Sequence, residues 1–186
     1  FVALSAAHGY AAVTGDPQAV LVHVDVGTQN LGAAMHNAHR ANVPVFVMAG
    51  RSPVSDAAGL GGRDHPIHYF QDVFDQTSIV SEYCRWTEEY QPPADPREVV
   101  RRGLERAVST PCGPTYLSFG REAFEAPVPE STQKIGTVRQ GRPTGADDET
   151  IAALSAQIEA AERPLIITSD SLGGDSVDTL VSFAEA

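Results

Sequence analysis

Apolar and polar positions along this chain fall into blocks whose period switches from block to block. Ala19 to Val26 is a Val-rich apolar run bounded by Asp16-Pro17 and Gly27. It is too short for a buried helix and reads as a strand buried on both faces, as in a parallel sheet. Gly27-Thr28-Gln29-Asn30 reads as a tight turn. Leu31, Ala34, Met35, Ala38 and Ala41 then recur at helical spacing. Pro44 to Met48 reads as a second strand. Strand, turn, helix and strand make a βαβ unit, whose crossover is expected to be right-handed. Ligands of such units lie beyond the carboxyl ends of the strands, where helix N-terminal amides are free. The turn Gly27–Asn30 is therefore the first candidate site. Its alternative is a plain turn in which Asn30 caps a helix.

The blocks on either side extend the pattern. Phe1 to Val13 reads as a helix ending near Thr14-Gly15, where Gly is the expected terminator. After Met48 comes a long polar loop rich in Gly and Pro. Gln71 to Glu82 returns to helical spacing through Val73, Phe74, Thr77 and Val80. Cys84 to Thr87 reads as a short strand around Trp86. Asp95-Pro96-Arg97-Glu98 has the order of a helix start: a capping carboxylate, Pro at the first helical position, and Glu at capping-box spacing. That helix is expected to reach Val108 with Val100, Leu104, Ala107 and Val108 facing inward. Thr115 to Phe119 follows as a strand. Residues 120–146 lose periodicity and read as an extended linker. Asp147 or Asp148 then caps a helix carrying Ile151, Leu154, Ile158 and Ala161. Pro164 to Thr168 reads as a buried strand, and a helix begins at Ser176. The expected fold class is α/β: a doubly wound, mainly parallel sheet over residues 1–119, then the linker, then the start of a Rossmann-like central domain over 147–186. Both ends fall inside helical patterns, so the expectation is a piece of a longer protein.

Composition narrows the function. Of 186 residues, 42% are hydrophobic and 20% charged, which suits a globular chain. The net charge of -11 argues against nucleic acid or anionic membrane as partners. No apolar run approaches the ~20 residues of a membrane span. Two isolated cysteines, Cys84 and Cys112, point to a reducing, cytoplasmic setting and read as inert, the alternative being one disulfide between them. The six histidines all lie in the first 68 residues. His36/His39 and His65/His68 have metal-compatible spacing, but no Cys or carboxylate cluster accompanies them, so no metal site is expected. His23, inside the Val-rich run, reads as a core residue, and so does Trp86. Phe70-Gln71, where the long loop enters a helix, can line a pocket or serve as a staple and cap. Gly173-Gly174 is a weak phosphate signal.

Taken in order, AAHGYAAVTG, VLVHVDVGTQNLGAAMHNAHRANVPVFVMAG, HYFQDVF and GPTYLSF resemble the thiamine diphosphate (TPP) enzymes of the acetolactate synthase type. The resemblance covers essentially the whole chain. It implies a pyrimidine-binding (Pyr) domain to about Phe119 and the beginning of a central domain. It implies TPP and Mg²⁺ as cofactors, with the metal ligands in a domain outside this chain. The activating Glu of the family would fall immediately before Phe1. Gly27, Thr28 and Asn30 match the segment against the coenzyme's pyrimidine, and Phe70 and Gln71 match the pair facing the thiazolium and substrate. The implied activity is that of a carboligase or decarboxylase of 2-keto acids, a transferase or lyase. Dimers or tetramers are implied, because the site forms between subunits. Pro111 stands where acetolactate synthases carry an FAD-holding Arg, and Gly120-Arg121 stand for their Pro and Lys, which argues against FAD. Two rival readings remain. One is a nucleotide-binding α/β protein, weakened because no G-x-G-x-x-G follows either strand. The other is a non-catalytic TPP-enzyme-like oligomerisation or regulatory module.

Overall fold

The computed structural model describes residues 1–56, 61–127, 136–141, 145–168 and 176–186. The chain divides into two compact units, Phe1–Arg142 and Pro143–Ala186.

The first unit is built on four parallel strands: β1 (Gln18–Val22), β2 (Val45–Arg51), β3 (Trp86–Tyr90) and β4 (Thr115–Gly120). Their order in the sheet is β1-β2-β4-β3, with Val20 opposite Val47 and Val47 opposite Tyr116. Alternate residues of the two central strands serve opposite faces. On one face Val45, Val47, Ala49 and Tyr116 pack with Leu4 and Ala11 of α1 (Val2–Thr14) and with Leu31, Ala34 and Met35 around α3 (Gly32–Arg40). On the other, Phe46, Leu117 and Phe119 pack with Val99, Val100 and Leu104 of α5 (Pro96–Val108). The sheet is thus sandwiched between helices, which is why β2 and β4 read as continuous apolar runs. Helix α1 ends as the sequence indicates, at Gly15 with φ of 77°. Helix α5 starts as expected too, with the Asp95 carboxylate accepting from the Arg97 N–H.

The two outer strands differ. β3 carries Glu88 and Glu89, which pair with Arg102 and Arg51. β1 (QAVLV) carries no charge, and its Leu21 is 70% exposed.

Several expectations are corrected. The Val-rich run is not one buried strand. It ends at Val22, and α2 (Val24–Gln29) begins at once. Val24 takes a φ of 37°, costly for a β-branched residue, and this reverses the chain out of the sheet. His23 is exposed ahead of α2 rather than buried in a strand. Residues 71–82 do not form an α-helix. The helix there is only α4 (Ile67–Phe70), followed by two 3₁₀ turns at Thr77–Ile79 and Ser81–Tyr83. Asp75 and Ser78 divert the backbone: the Asp75 carboxylate takes the Ser78 N–H, and the Ser78 hydroxyl donates to the Asp75 carbonyl. In α5 the fully buried positions are Val99, Gly103 and Ala107, with Val100 and Leu104 at the margin. The stretch read as linker contains a short helix, α6 (Arg121–Glu125).

In the second unit, Asp147 caps α7 (Asp148–Glu159) by accepting from the Thr150 N–H, and α8 spans Ser176–Glu185. Pro164 to Thr168 is not a strand, and Leu165 and Ile167 are over 80% exposed. A parallel strand needs neighbours, and the described residues of this unit provide none. The Gly173-Gly174 signal lies outside the described residues.

One histidine ties α3 to the turn at Tyr83. Burial, helped by the charges of Arg85, Arg40 and His36, lowers the His39 pKa, and a backbone contact at Tyr83 opposes the shift. A base with a depressed folded pKa binds protons more readily when unfolded. Its penalty is absent above the unfolded value of about 6.5 and grows as pH falls through it. Unfolding at pH 7.5 and 5.5 should show a smaller acid-side loss for His39→Gln than for the wild type. Equal losses would remove His39 as the source.

Candidate functional site

All four strands are parallel, so their carboxyl ends share one edge. From that edge depart α2, the loop after Arg51, α6 and the turn after Tyr90. The sequence-nominated residues are gathered here. Gly50, at the end of β2, lies beside Val24 at the start of α2. Ser52, two residues on, donates through its hydroxyl to the Gln71 carbonyl at 3.0 Å.

The α2 residues are not arranged as a cradle of free amides. Gly27 lies inside the helix and its N–H donates to His23 O at 2.8 Å. A Cβ at Gly27 would meet the Val22 Cβ at 3.0 Å, so glycine is what lets α2 fold back against β1. Asn30 is not an N-cap. It ends α2, its N–H and its side-chain amide both donating to Val26 O. Thr28 is fully buried. Its one hydroxyl hydrogen is engaged by Val24 O at 2.9 Å, so the Tyr116 hydroxyl, at 2.8 Å, must be the donor to Thr28 Oγ1. Gln76 adds its amide to the same buried group. Burial pushes the Tyr116 phenol up, keeping it neutral and able to donate. Asp25 is 7% exposed. Its Oδ2 accepts from Gln29 and its Oδ1 is buried without a partner.

On the loop side, Phe70 is 84% exposed and Gln71 is half-buried. A cleft of about 400 Å³ opens beside them, lined by Arg51, Tyr69, Asp72, Val73 and Phe74. The loop is braced rather than loose. Arg63 donates to Pro53 O, pairs with Asp72 and stacks over Tyr69 at 4.9 Å. Glu122 of α6 accepts the N–H groups of Val54 and Ser55, and Arg121 pairs with Asp64. Arg51 pairs with Glu89 across β4.

The remaining nominations have structural places. His36 and His39 meet the Tyr83 ring edge-on, and His65 meets His68. Trp86 packs on the α5 face with Arg102 over its ring. Burial pushes the Cys84 thiol up to about 12 and raises that of Cys112, so both stay protonated. Among the described residues no group of three or more His, Cys, Asp or Glu is placed to hold a metal. Among them, too, no helix is long and apolar enough to cross a membrane. Sequence reasoning missed Gln76, which looks like one more polar loop residue, and the Arg63 brace.

Residues 1–79 match the family described as "Thiamine pyrophosphate enzyme, N-terminal TPP binding domain". That stretch resembles the N-terminal domain of thiamine pyrophosphate enzymes. The chain is 27% identical over 161 residues to the probable 2-ketoarginine decarboxylase AruI of Pseudomonas aeruginosa, a match covering 87% of this chain and 28% of that protein. It is 25% identical over 179 residues to 2-succinyl-5-enolpyruvyl-6-hydroxy-3-cyclohexene-1-carboxylate synthase of Geobacillus kaustophilus, covering 86% and 28%. Its fold is like that of benzoylformate decarboxylase from Polynucleobacter necessarius, with a TM-score of 0.70 at 21% identity, over 87% of this chain and 28% of that one. The chain thus spans a little over a quarter of the length of these relatives.

Proposed function

We propose that this chain supplies the pyrimidine side of a thiamine diphosphate site in a longer cytoplasmic enzyme that ligates or decarboxylates small 2-keto acids. One observation carries the reading within the family. The two segments it nominates, α2 and Phe70-Gln71, leave from the same edge of the sheet, with Gly50 and Ser52 between them. The groups there suit a flat aminopyrimidine. Val26 and Phe70 are exposed apolar surfaces, and Gln71 is a half-buried amide. When bound, thiamine diphosphate supplies a nucleophilic carbon and an electron sink for bonds next to a keto group.

The chain's own contribution is orientation. Gly27, Thr28 and Asn30 shape the surface against the pyrimidine. Thr28 acts through backbone position, because its hydroxyl is committed inward. Phe70 and Gln71 bound the substrate side, where the exposed Phe70 ring keeps water from the reacting atoms. Mg²⁺ and the diphosphate fall to residues outside this chain, brought by a second subunit of a dimer or tetramer.

Calorimetric titration of TPP with Mg²⁺ tests this, in the full-length protein and in the 186-residue chain. The full-length protein should bind and the chain alone should not. No binding by the full-length protein would remove the coenzyme assignment.

A further inference from the structure

Gln76 is a polar side chain in the core, 2% exposed, and both hydrogens of its amide nitrogen are engaged. Its Nε2 donates to Gly50 O at 2.8 Å and to Tyr116 Oη at 2.9 Å, with Thr28 Oγ1 at 3.4 Å. Gly50 belongs to β2, Tyr116 to β4 and Thr28 to α2. One carboxamide therefore joins the loop to three elements at the edge where the site lies. Apolar packing could bury this position as well, but it would not fix direction, which hydrogen bonds do.

We propose that Gln76 is a positioning residue that sets the segment Phe70-Gln71 in register with α2. This rests on the reading of α2 as the coenzyme side and Phe70-Gln71 as the substrate side. The asymmetry of the contacts says which side yields when the carboxamide is lost. α2 keeps its own bonds from Gly27 to His23, from Asn30 to Val26 and from Tyr116 to Thr28. The loop side keeps the Ser52 hydroxyl on Gln71 O, the local turns at His68, Tyr69 and Gln71, and the Arg63 brace on Asp72 and Tyr69, but none of these contacts reaches α2. Loss of Gln76 should therefore displace the substrate side and spare the coenzyme side.

Gln76→Leu removes the donor at similar volume. Gln76→Glu keeps the shape but, ionised, cannot donate to Gly50 O. Hydrogen exchange in the 186-residue chain is the first arm. The amides of His68, Tyr69 and Gln71 should exchange about tenfold faster or more, while those of α5 and β4 keep their protection. In the full-length protein, CO₂ release from pyruvate and benzoylformate is the second arm. Turnover should fall about tenfold or more while TPP affinity stays within about twofold, since misplacement by a fraction of an ångström costs rate rather than coenzyme binding. Gln71→Ala is the reference and should slow turnover likewise.

Exchange that is unchanged at 68–71, or that rises evenly through the sheet, overturns the proposal. So does a slowed Gln71→Ala beside an unaffected Gln76→Leu. If the full-length protein binds no TPP or turns over neither acid, the site reading fails instead. The exchange arm then decides alone whether Gln76 holds this segment.

Discussion

Leu4→Ala should cost the first unit ~2–5 kcal/mol, the range for emptying a fully buried leucine site. Leu4 is 0% exposed, and on α1 only Ala11 joins it in the core. Val2, Tyr10 and Val13, the other large apolar side chains of the helix, are 56% to 88% exposed. One leucine therefore carries most of the apolar contact between α1 and the sheet. Against a typical total of about 5–15 kcal/mol, its loss is a large fraction. Urea unfolding followed by Trp86 fluorescence and far-ultraviolet circular dichroism measures it. Val2→Ala, at an exposed position of the same helix, should change stability by no more than about 0.5 kcal/mol. A Leu4→Ala loss under about 1 kcal/mol would mean that α1 is not docked as described.

Gly103→Ala is the second large effect, and its sign is the informative part. On an exposed helix surface this change gains about 1 kcal/mol from helix propensity. Here the added Cβ would lie 2.5 Å from the Phe46 ring and 2.9 Å from Trp86. Phe46 is 1% exposed and has nowhere to go. Overpacking of that kind costs about 1–3 kcal/mol, so net destabilisation is expected. In a Phe46→Leu background the ring atoms are gone and the penalty should shrink. The coupling in that double-mutant cycle is the measurement, and strict additivity would contradict the close approach.

The parts of the fold that could be read from sequence are those where one signal dominates. The apolar runs at β2 and β4 are buried on both faces. The Asp95-Pro96 start of α5 is a local chemical device that forms whatever surrounds it. The helix at 32–40 has a clean apolar stripe. Reading failed where two signals compete. Val24 belongs to a β-branched run, yet it turns into a helix at a positive φ that tertiary packing imposes. Residues 71–82 have helical spacing, but Asp75 and Ser78 offer the backbone other partners. Pro164 to Thr168 has a strand's composition without strands beside it. Of the candidate site, only the segments were legible, through short ordered motifs that nominate Gly27–Asn30 and Phe70-Gln71. The local geometry of Gly27 and Asn30 was not, because a turn and a short helix share the same residues. Gln76 was invisible, because nothing in a polar loop marks the one amide that will be buried.

The contrast between the two outer strands bears on how the chain behaves in a tube. β3 presents glutamates already engaged with arginines, which discourages another strand from joining. β1 presents an uncharged rim beside an exposed leucine. At high concentration, copies of the 186-residue chain should associate along β1, with the net charge of -11 as the opposing force. Salt screens that repulsion, so light scattering should rise with ionic strength. Leu21→Lys should suppress the rise.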